Sequence, residues 1–261
     1  KRQFTLKTGT IFEDSPMGLD KWLCAMWMIA NCKNGVSSYE IHRALEVTQK
    51  TAWFMLHRIR LAMQGDNAGK LGGEEGSGEV EIDESFIGGK ARNMHRVEHA
   101  MKIRGRGTKD KAIAVGMVER GGDVRTFAAD TRKKAELQAL VKKHVEVGSA
   151  IFTDELKSYE GLDAEFVHNV INHAVEYVNG NTHTNTMENF WSLLKRGLKG
   201  TYVAIEPFHI FRYLDEQAFR YNRRKGKDSD RFKSVAKGVA GKRLTYKRLI
   251  GKIADPKTTP V

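Results

Sequence analysis

The sequence contains little cysteine and no long apolar run. Cys24 and Cys32 are the only cysteines among 261 residues, which excludes a disulfide framework. Their place in an apolar helical pattern predicts buried thiols in a reducing cytoplasm. A metal pair is the alternative, although no further Cys or His stands at ligand spacing. The longest apolar stretch, residues 22–30, is too short to cross a bilayer. With no signal peptide visible, we expect no membrane partner.

Positive charge is concentrated towards the end of the chain. The net charge is +12, and residues 196–261 contain 17 Lys and Arg against 6 Asp and Glu. The first 195 residues hold the remaining 27 Lys and Arg against 26 Asp and Glu. This asymmetry predicts a polyanionic partner, with nucleic acid favoured over an anionic membrane. A soluble basic tail is the alternative.

The first 64 residues predict three helices. Apolar residues at helical spacing indicate a helix over residues 19–33. Ser37 and Glu40 match a capping box, and Thr48 can cap a third helix. The short turn between the last two helices is typical of a helix-turn-helix, whose polar face would read DNA; an ordinary three-helix bundle is the alternative. The residues expected on that face are Gln49, Lys50, His57, Arg58 and Arg60.

A glycine-rich linker over residues 65–78 precedes a change of pattern. Alternating residues predict a strand around Asp83 and then a hairpin with its turn at Gly121–Gly122. An amphipathic helix, two short strands and the helix that carries Glu188 follow. This order predicts the α/β class, with a mixed sheet and helices on both of its faces.

Three acidic residues occupy positions where a carboxylate is costly or informative. Asp83 lies in the first strand, Asp154 ends a later buried strand, and Glu188 lies on the final helix of this region. Buried carboxylates need compensation, and two Mg²⁺ ions about 3.5–4 Å apart can clamp the attacking and leaving oxygens of a phosphodiester. Three alternatives stay open: Asp154 as a helix cap, Glu84 as the inward acid, and Glu188 as a solvated side chain.

The segments VEIDESFIGGK, IFTDELKSYEGL, HTNTMENFWSLLKR and RYLDEQAFRYNRR resemble the DDE transposases of bacterial insertion sequences. The closest likeness is to the ISXO-type branch, related to Merlin elements, and it covers nearly the whole chain. The resemblance implies an RNase H-like fold in which Asp83, Asp154 and Glu188 hold two Mg²⁺ or Mn²⁺ ions. It also implies cleavage at transposon ends and joining of the 3′-hydroxyl to target DNA.

The resemblance also assigns supporting roles. It implies a zinc ribbon whose cysteines would lie upstream, so we expect no zinc site in this chain. Lys195 stands seven residues after Glu188 and hence on nearly the same helix face. The expected DNA contacts near this helix are Lys195, Arg196 and Lys199. The candidates around the acidic site are His173, His183 and Asn185, and structural histidines are the open alternative for His173 and His183. Asn185 and Asn189 are the fallback ligands at the third acidic position. Trp191 is expected in the core.

These expectations combine into one architecture. Residues 1–64 form a helix-turn-helix region that starts with the tail of a zinc ribbon, followed by the linker over residues 65–78. Residues 79–200 form the RNase H-like catalytic domain, and residues 201–261 form a basic helical C-terminal extension. We expect a homo-oligomer on DNA, associated with the nucleoid in a bacterial cytoplasm. Two rivals remain: a nuclease of the same fold that only cuts, and a catalytically silent DNA-binding protein.

Overall fold

The structure is a computed structural model that describes residues 4–65, 69–88, 111–171, 184–203 and 205–253. The chain divides into two compact units, and each joins segments distant in sequence. The first unit contains residues 1–65, 196–203 and 215–261, and the second contains residues 66–195 and 204–214. The division into a helix-turn-helix region, a linker, a catalytic domain and a C-terminal extension stays a prediction. No helix of the described residues is long and apolar enough to cross a membrane.

Three helices open the first unit: α1 (Leu19–Asn31), α2 (Ser38–Leu45) and α3 (Gln49–Met63). The predicted capping box is confirmed, because Ser37 Oγ accepts from the Glu40 amide at 3.2 Å and the Glu40 carboxylate accepts from the Ser37 amide at 2.7 Å. Thr48 caps α3 by accepting from the Thr51 amide at 3.2 Å. Apolar faces of all three helices share one core, which includes Trp22, Met26, Ile29, Ile41, Leu56 and Ile59.

The second unit is built on a five-stranded mixed sheet of order β3-β2-β1-β4-β5. The pairs β1–β2 and β2–β3 are antiparallel, whereas β1–β4 and β4–β5 are parallel. Gly121, with φ of 78°, adopts a conformation that favours glycine in the predicted hairpin turn. The strands are β1 (Glu79–Ile87), β2 (Ala112–Glu119), β3 (Val124–Ala129), β4 (Ala150–Asp154) and β5 (Val167–Ile171).

Helices flank this sheet, which confirms the predicted α/β class. Helix α4 (Lys134–His144) buries Leu137 and Val141 in a core with Val80 and Ile82 of β1. Successive strand residues point to opposite faces, so Glu81 and Asp83 lie on the other face of β1. Helix α5 (Asn185–Gly197) packs on that second face.

The remaining helices come from the C-terminal part of the chain. A π-helical segment, Leu198–Tyr202, directly follows α5. Three further helices are α6 (Ile210–Asn222), α7 (Asp228–Lys237) and α8 (Tyr246–Leu249). In the first unit, Glu216 of α6 is fully buried and accepts from Arg60 of α3 at 2.6 Å, from Arg220 and from the Tyr202 hydroxyl. This network joins parts of the unit that are far apart in sequence.

The expected exposure of His57, Arg58 and Arg60 on α3 is wrong, because all three are buried. The C-terminal part of the same unit covers this side of α3. Arg58 Nε donates to the Leu244 carbonyl at 3.0 Å, and Arg60 pairs with Glu216. The sequence pattern could not anticipate this cover, because its residues lie more than 150 positions away.

The expected burial of the two cysteines is also wrong, because Cys24 and Cys32 are both exposed. The buried face of α1 contains Trp22, Ala25 and Met26, and Cys24 lies outside that face. Cys32 stands just beyond the last helical residue. Apolar composition in a short helix therefore did not determine which side faces solvent.

Candidate active site

The sheet register places Asp83 and Asp154 side by side. In the parallel pair β1–β4, Glu81 lies opposite Phe152. Because strand residues alternate between faces, two steps further along both strands bring Asp83 opposite Asp154 on the same face. This is the face that α5 covers, and Glu188 lies in the first turn of that helix.

A glycine lets α5 lie directly on the sheet beside Asp83. Gly116 of β2 is the register partner of Asp83. A Cβ atom at Gly116 would lie 2.2 Å from Met187 Cε and 2.8 Å from Trp191 Cζ2. Only a residue without a side chain allows this approach. The contact sets the distance of α5 from the sheet at Asp83, and Glu188, the residue after Met187, is exposed.

Asp83 is close enough to Asp154 and Glu188 for their charges to act on it. Burial, with a smaller contribution from the charges of Asp154 and Glu188, raises the pKa of Asp83 to about 6. The Glu84 amide, which donates to Asp83 Oδ1 at 2.8 Å, and the indole N–H of Trp191 act to lower that pKa. The charges of Asp154 and Glu188 therefore act on Asp83 from two other elements of the fold.

Trp191 connects the core to this cluster. Its side chain is 3% exposed, as expected for a core residue. Its indole Nε1 is directed towards Asp83 but does not reach ordinary hydrogen-bond geometry with any described residue. A buried donor without an acceptor is costly, so the cluster holds one polar group that its present contacts leave unsatisfied.

Glu84 takes no part on this face, although it directly follows Asp83. It lies on the α4 side of β1, where its carboxylate accepts from the hydroxyl of the buried Tyr159. Burial raises the pKa of Glu84. Asp154 is exposed, and its Oδ1 accepts from the Glu155 amide at 2.7 Å. The next short helix has Leu156 as its N-cap, so Asp154 does not cap it.

Sequence reasoning missed Glu81, a fully buried carboxylate two residues before Asp83. It accepts from the Thr186 amide at 2.9 Å, the Met187 amide at 3.1 Å and the Thr186 hydroxyl at 3.0 Å, all in the first turn of α5. Arg120 Nε also donates to it at 3.0 Å. The available signal was an acidic residue inside the apolar strand VEIDES, in step with Asp83.

The other candidate residues fall into three groups. Lys195, Arg196 and Lys199 are exposed, as are Asn185 and Asn189. Lys50 is exposed with Nζ 4.8 Å from the centre of the Tyr246 ring, and Gln49 donates to Ser38 Oγ at 2.9 Å. His57 and Arg58 are buried, as described above. His173 and His183 lie outside the described residues.

The chemistry of the acidic cluster suits a hard divalent cation. Mg²⁺ and Mn²⁺ prefer carboxylate oxygens, and a cation would offset the burial and the neighbouring charges that raise the pKa of Asp83. Within the part of the chain that the structure describes, no three acidic, His or Cys side chains converge closely enough to hold an ion. The donor set therefore fits, whereas a closed coordination shell is not formed by these side chains alone.

Comparison with known proteins defines the class to which this fold and cluster belong. Residues 75–222, more than half of the chain, match the family of ISXO2-like transposase domains. The chain belongs to the ISXO2-like transposase family. The resemblance inferred from the motifs is thereby confirmed.

Individual relatives are consistent with this family. The chain is 28% identical over 207 residues to a protein in transposable element ISH50 of Halobacterium salinarum, covering 76% of this chain and 68% of that protein. It is 32% identical over 100 residues to a transposase-like protein of Haemophilus influenzae, covering 38% of this chain and 80% of that protein. A pre-cleavage Mos1 transpososome structure aligns over 81% of this chain and 76% of its own, at 13% identity and a TM-score of 0.24.

Proposed function

We propose that this transposase cleaves DNA at the ends of its element and joins the freed 3′-hydroxyl to target DNA. The single observation that carries the proposal is the buried carboxylate of Asp83, whose pKa the charges of Asp154 and Glu188 help to raise. Three carboxylates close enough for this effect are a donor set suited to phosphoryl transfer with divalent cations. Family membership supplies the substrate class, transposon DNA.

Asp83, Asp154 and Glu188 would hold the divalent cations, two Mg²⁺ or Mn²⁺ ions. Bound there, such ions activate the attacking oxygen and stabilise the leaving oxygen of a phosphodiester. The three side chains act as ionised oxygen donors, so cation binding displaces the proton that Asp83 holds below its pKa of about 6. The indole N–H of Trp191 is directed towards Asp83 and would donate to its carboxylate, and Lys195 would contact a phosphate close to the bond that breaks.

The fold supports this assignment. A sheet of order β3-β2-β1-β4-β5, with parallel pairing only between β1, β4 and β5 and a helix on each face, is the arrangement expected of an RNase H-like domain. We further propose that α2 and α3 form the helix-turn-helix, with Gln49 and Lys50 at its DNA-reading surface. The basic C-terminal residues would hold the DNA backbone, in a complex with more than one copy of the chain.

The decisive test is Glu188→Gln with DNA that carries the element's own end. The variant keeps the size of the side chain and loses its charge, so we expect Mg²⁺-dependent cleavage and joining to stop while duplex binding persists. Wild-type protein should give a joined product. A cut product alone would favour the nuclease, and a bound complex alone would favour the silent DNA-binding protein. Wild-type turnover by the variant at saturating DNA and Mg²⁺ would exclude Glu188 as a ligand.

Lys195→Ala tests the phosphate contact on the same helix. Seven residues of α5 correspond to about 10 Å along the axis and nearly two full turns, so Lys195 and Glu188 share a face. We expect slower cleavage with unchanged metal binding, because only one positive charge is removed. Lys142→Ala is the matched control, since Lys142 is exposed on α4 at the opposite sheet face. Equal rates for the two variants would remove Lys195 from the site.

A further inference from the structure

We propose that Glu81 is a positioning residue that fixes the place of Glu188 relative to Asp83. This inference rests on the proposed function, in which Glu188 is a cation ligand. Glu81 touches no reacting atom. It acts through α5, whose first turn it holds from the sheet.

The first turn of a helix leaves amides without partners inside the helix, and these are usually capped by a residue just before it. Here the cap comes from a strand more than 100 residues earlier. Glu81 accepts from the amides of Thr186 and Met187 and from the Thr186 hydroxyl. The negative charge also suits the positive end of the helix dipole. Glu188 follows directly, one residue after Met187.

The same carboxylate is rigid on the sheet side. Glu81 is fully buried on β1, two residues from Asp83 and on the same face. Arg120 fixes it with a 3.0 Å bond from Nε, while Nη1 of Arg120 binds Glu79 at 2.9 Å. The Arg120 guanidinium also stacks 3.9 Å from the centre of the Phe152 ring. Glu81 therefore fixes the distance between the strand that carries Asp83 and the first turn of α5, which contains Glu188.

Three variants separate position from charge and from simple stability. Glu81→Gln removes the charge, and Glu81→Asp keeps the charge but shortens the reach by one methylene. Glu79→Gln is the matched control, because Glu79 lies on the same strand as Glu81 and also pairs with Arg120. Mn²⁺ affinity of the DNA-free protein is measured by electron paramagnetic resonance, and cleavage is measured against Mg²⁺ concentration.

We expect both Glu81 variants to bind Mn²⁺ about 10–100-fold more weakly, as is common when the residue that orients a ligand is lost. Cleavage should recover towards the wild-type maximum at high Mg²⁺, because Glu188 itself is intact. Amides of the first turn of α5 should exchange hydrogen faster. Glu79→Gln should match the wild type in all three measurements.

The outcomes distinguish this inference from the proposed function. Wild-type Mn²⁺ affinity in folded Glu81→Gln, or a defect in Glu81→Gln that Glu81→Asp does not share, would overturn the positioning role. If the positioning role is overturned but Glu188→Gln still weakens Mn²⁺ binding, the proposed function is retained without it. Unchanged Mn²⁺ affinity in Glu188→Gln would overturn both.

A pair of variants at Thr186 tests the same contact if substitution of Glu81 prevents folding. Thr186→Val removes one of the bonds to Glu81 from the helix side, and Thr186→Ser retains the hydroxyl. We expect Thr186→Val to bind Mn²⁺ several-fold more weakly than Thr186→Ser. Equal affinities would count against the positioning role.

Discussion

At the scale of single residues, the position of Asp83 that suits cation binding lowers the stability of the cation-free protein. Asp83 is held in a partly buried place beside two other carboxylates, and its pKa rises to about 6 as a result. An unfolded chain would ionise this group near its ordinary value of 3.8. The folded state therefore loses stability as the pH rises from about 4 to about 6, and the loss persists above that window. A bound cation would reverse it.

Asp83→Asn should therefore be more stable than the wild type in the absence of divalent ions at pH 7.5. We expect a gain of about 1–3 kcal/mol in the free energy of unfolding, since one unit of pKa corresponds to roughly 1.4 kcal/mol. The gain should disappear below pH 4, where Asp83 is protonated in both states. Urea denaturation at several pH values measures it.

Two comparisons make this result specific. Asp123→Asn, at an exposed position after the hairpin turn, should leave both stability and its pH dependence unchanged. Added Mg²⁺ should stabilise the wild type and not the Asp83→Asn variant. Equal stability of wild type and Asp83→Asn at pH 7.5 without divalent ions would contradict the strained state inferred for this carboxylate.

At the scale of elements, the site depends on the position of α5 relative to the sheet. Two contacts fix this position: Gly116 allows close approach of Met187 and Trp191, and Glu81 accepts hydrogen bonds from the first turn of α5. The helix carries Glu188 and Lys195 on an exposed side, next to the apolar residues that pack on the sheet. A small displacement of the whole helix would move Glu188 away from Asp83 without altering any site residue.

Gly116→Ala tests this dependence. The added methyl group would overlap Met187 Cε, which can rotate away, and the Trp191 ring, which cannot move without displacing α5. We expect a loss of about 1–3 kcal/mol in stability, as is typical when a packed interior is overfilled, together with weaker Mn²⁺ binding. Chemical denaturation and ion titration measure the two effects.

Gly200→Ala is the control for this substitution. Gly200 lies in the π-helical segment after α5, and a Cβ atom there would meet nothing within 4 Å. Its stability and ion affinity should match the wild type. Unaltered ion affinity in Gly116→Ala would show that the height of α5 does not control the acidic cluster.

At the scale of the whole molecule, the first unit depends on residues from both ends of the chain. Burial alone would raise the pKa of Glu216, but the charges of Arg220 and Arg60 and the Tyr202 hydroxyl outweigh it and lower that pKa. Truncating residues 1–64 would leave Glu216 buried without Arg60, which is strongly destabilising. DNA reading by α3 is therefore best tested by substitution of Gln49 and Lys50.

The basic C-terminal part should make DNA binding depend strongly on salt. Several of its charges are buried, including Arg212 and Arg220, but Arg223, Lys225 and Lys227 between α6 and α7 are exposed. Each phosphate contact contributes about −0.9 to the slope of log K against log salt. Replacing these three residues by Gln should flatten the slope by up to about 2.7, as measured by fluorescence anisotropy of a labelled duplex.

Loss of charge elsewhere should have a smaller effect. Lys142→Gln with Lys143→Gln removes two exposed charges of α4, on the sheet face opposite the acidic cluster, and should leave the slope near the wild-type value. A slope that the first set of substitutions does not change would remove this loop from the DNA interface.

Local sequence signals predicted several elements well. The capping box at Ser37, the cap at Thr48 and the hairpin turn at Gly121 depend on contacts within a few residues, and each appears as expected. Alternation in VEIDES identified β1, and the motifs identified the family. Such signals are strong because the residues that cause them are neighbours in the chain.

Contacts between distant segments had to be decided by the tertiary structure. It buried Arg58 and Arg60 under residues from the C-terminal part, and it left Cys24 and Cys32 exposed. It turned Asp83 towards α5 and Glu84 towards Tyr159, although the two are adjacent. It also gave Glu81 its place at the start of α5. The sequence by itself determined which residues are acidic, apolar or turn-forming, whereas burial and partnership depend on which distant segments pack together, because no local pattern encodes a contact across 100 residues or more.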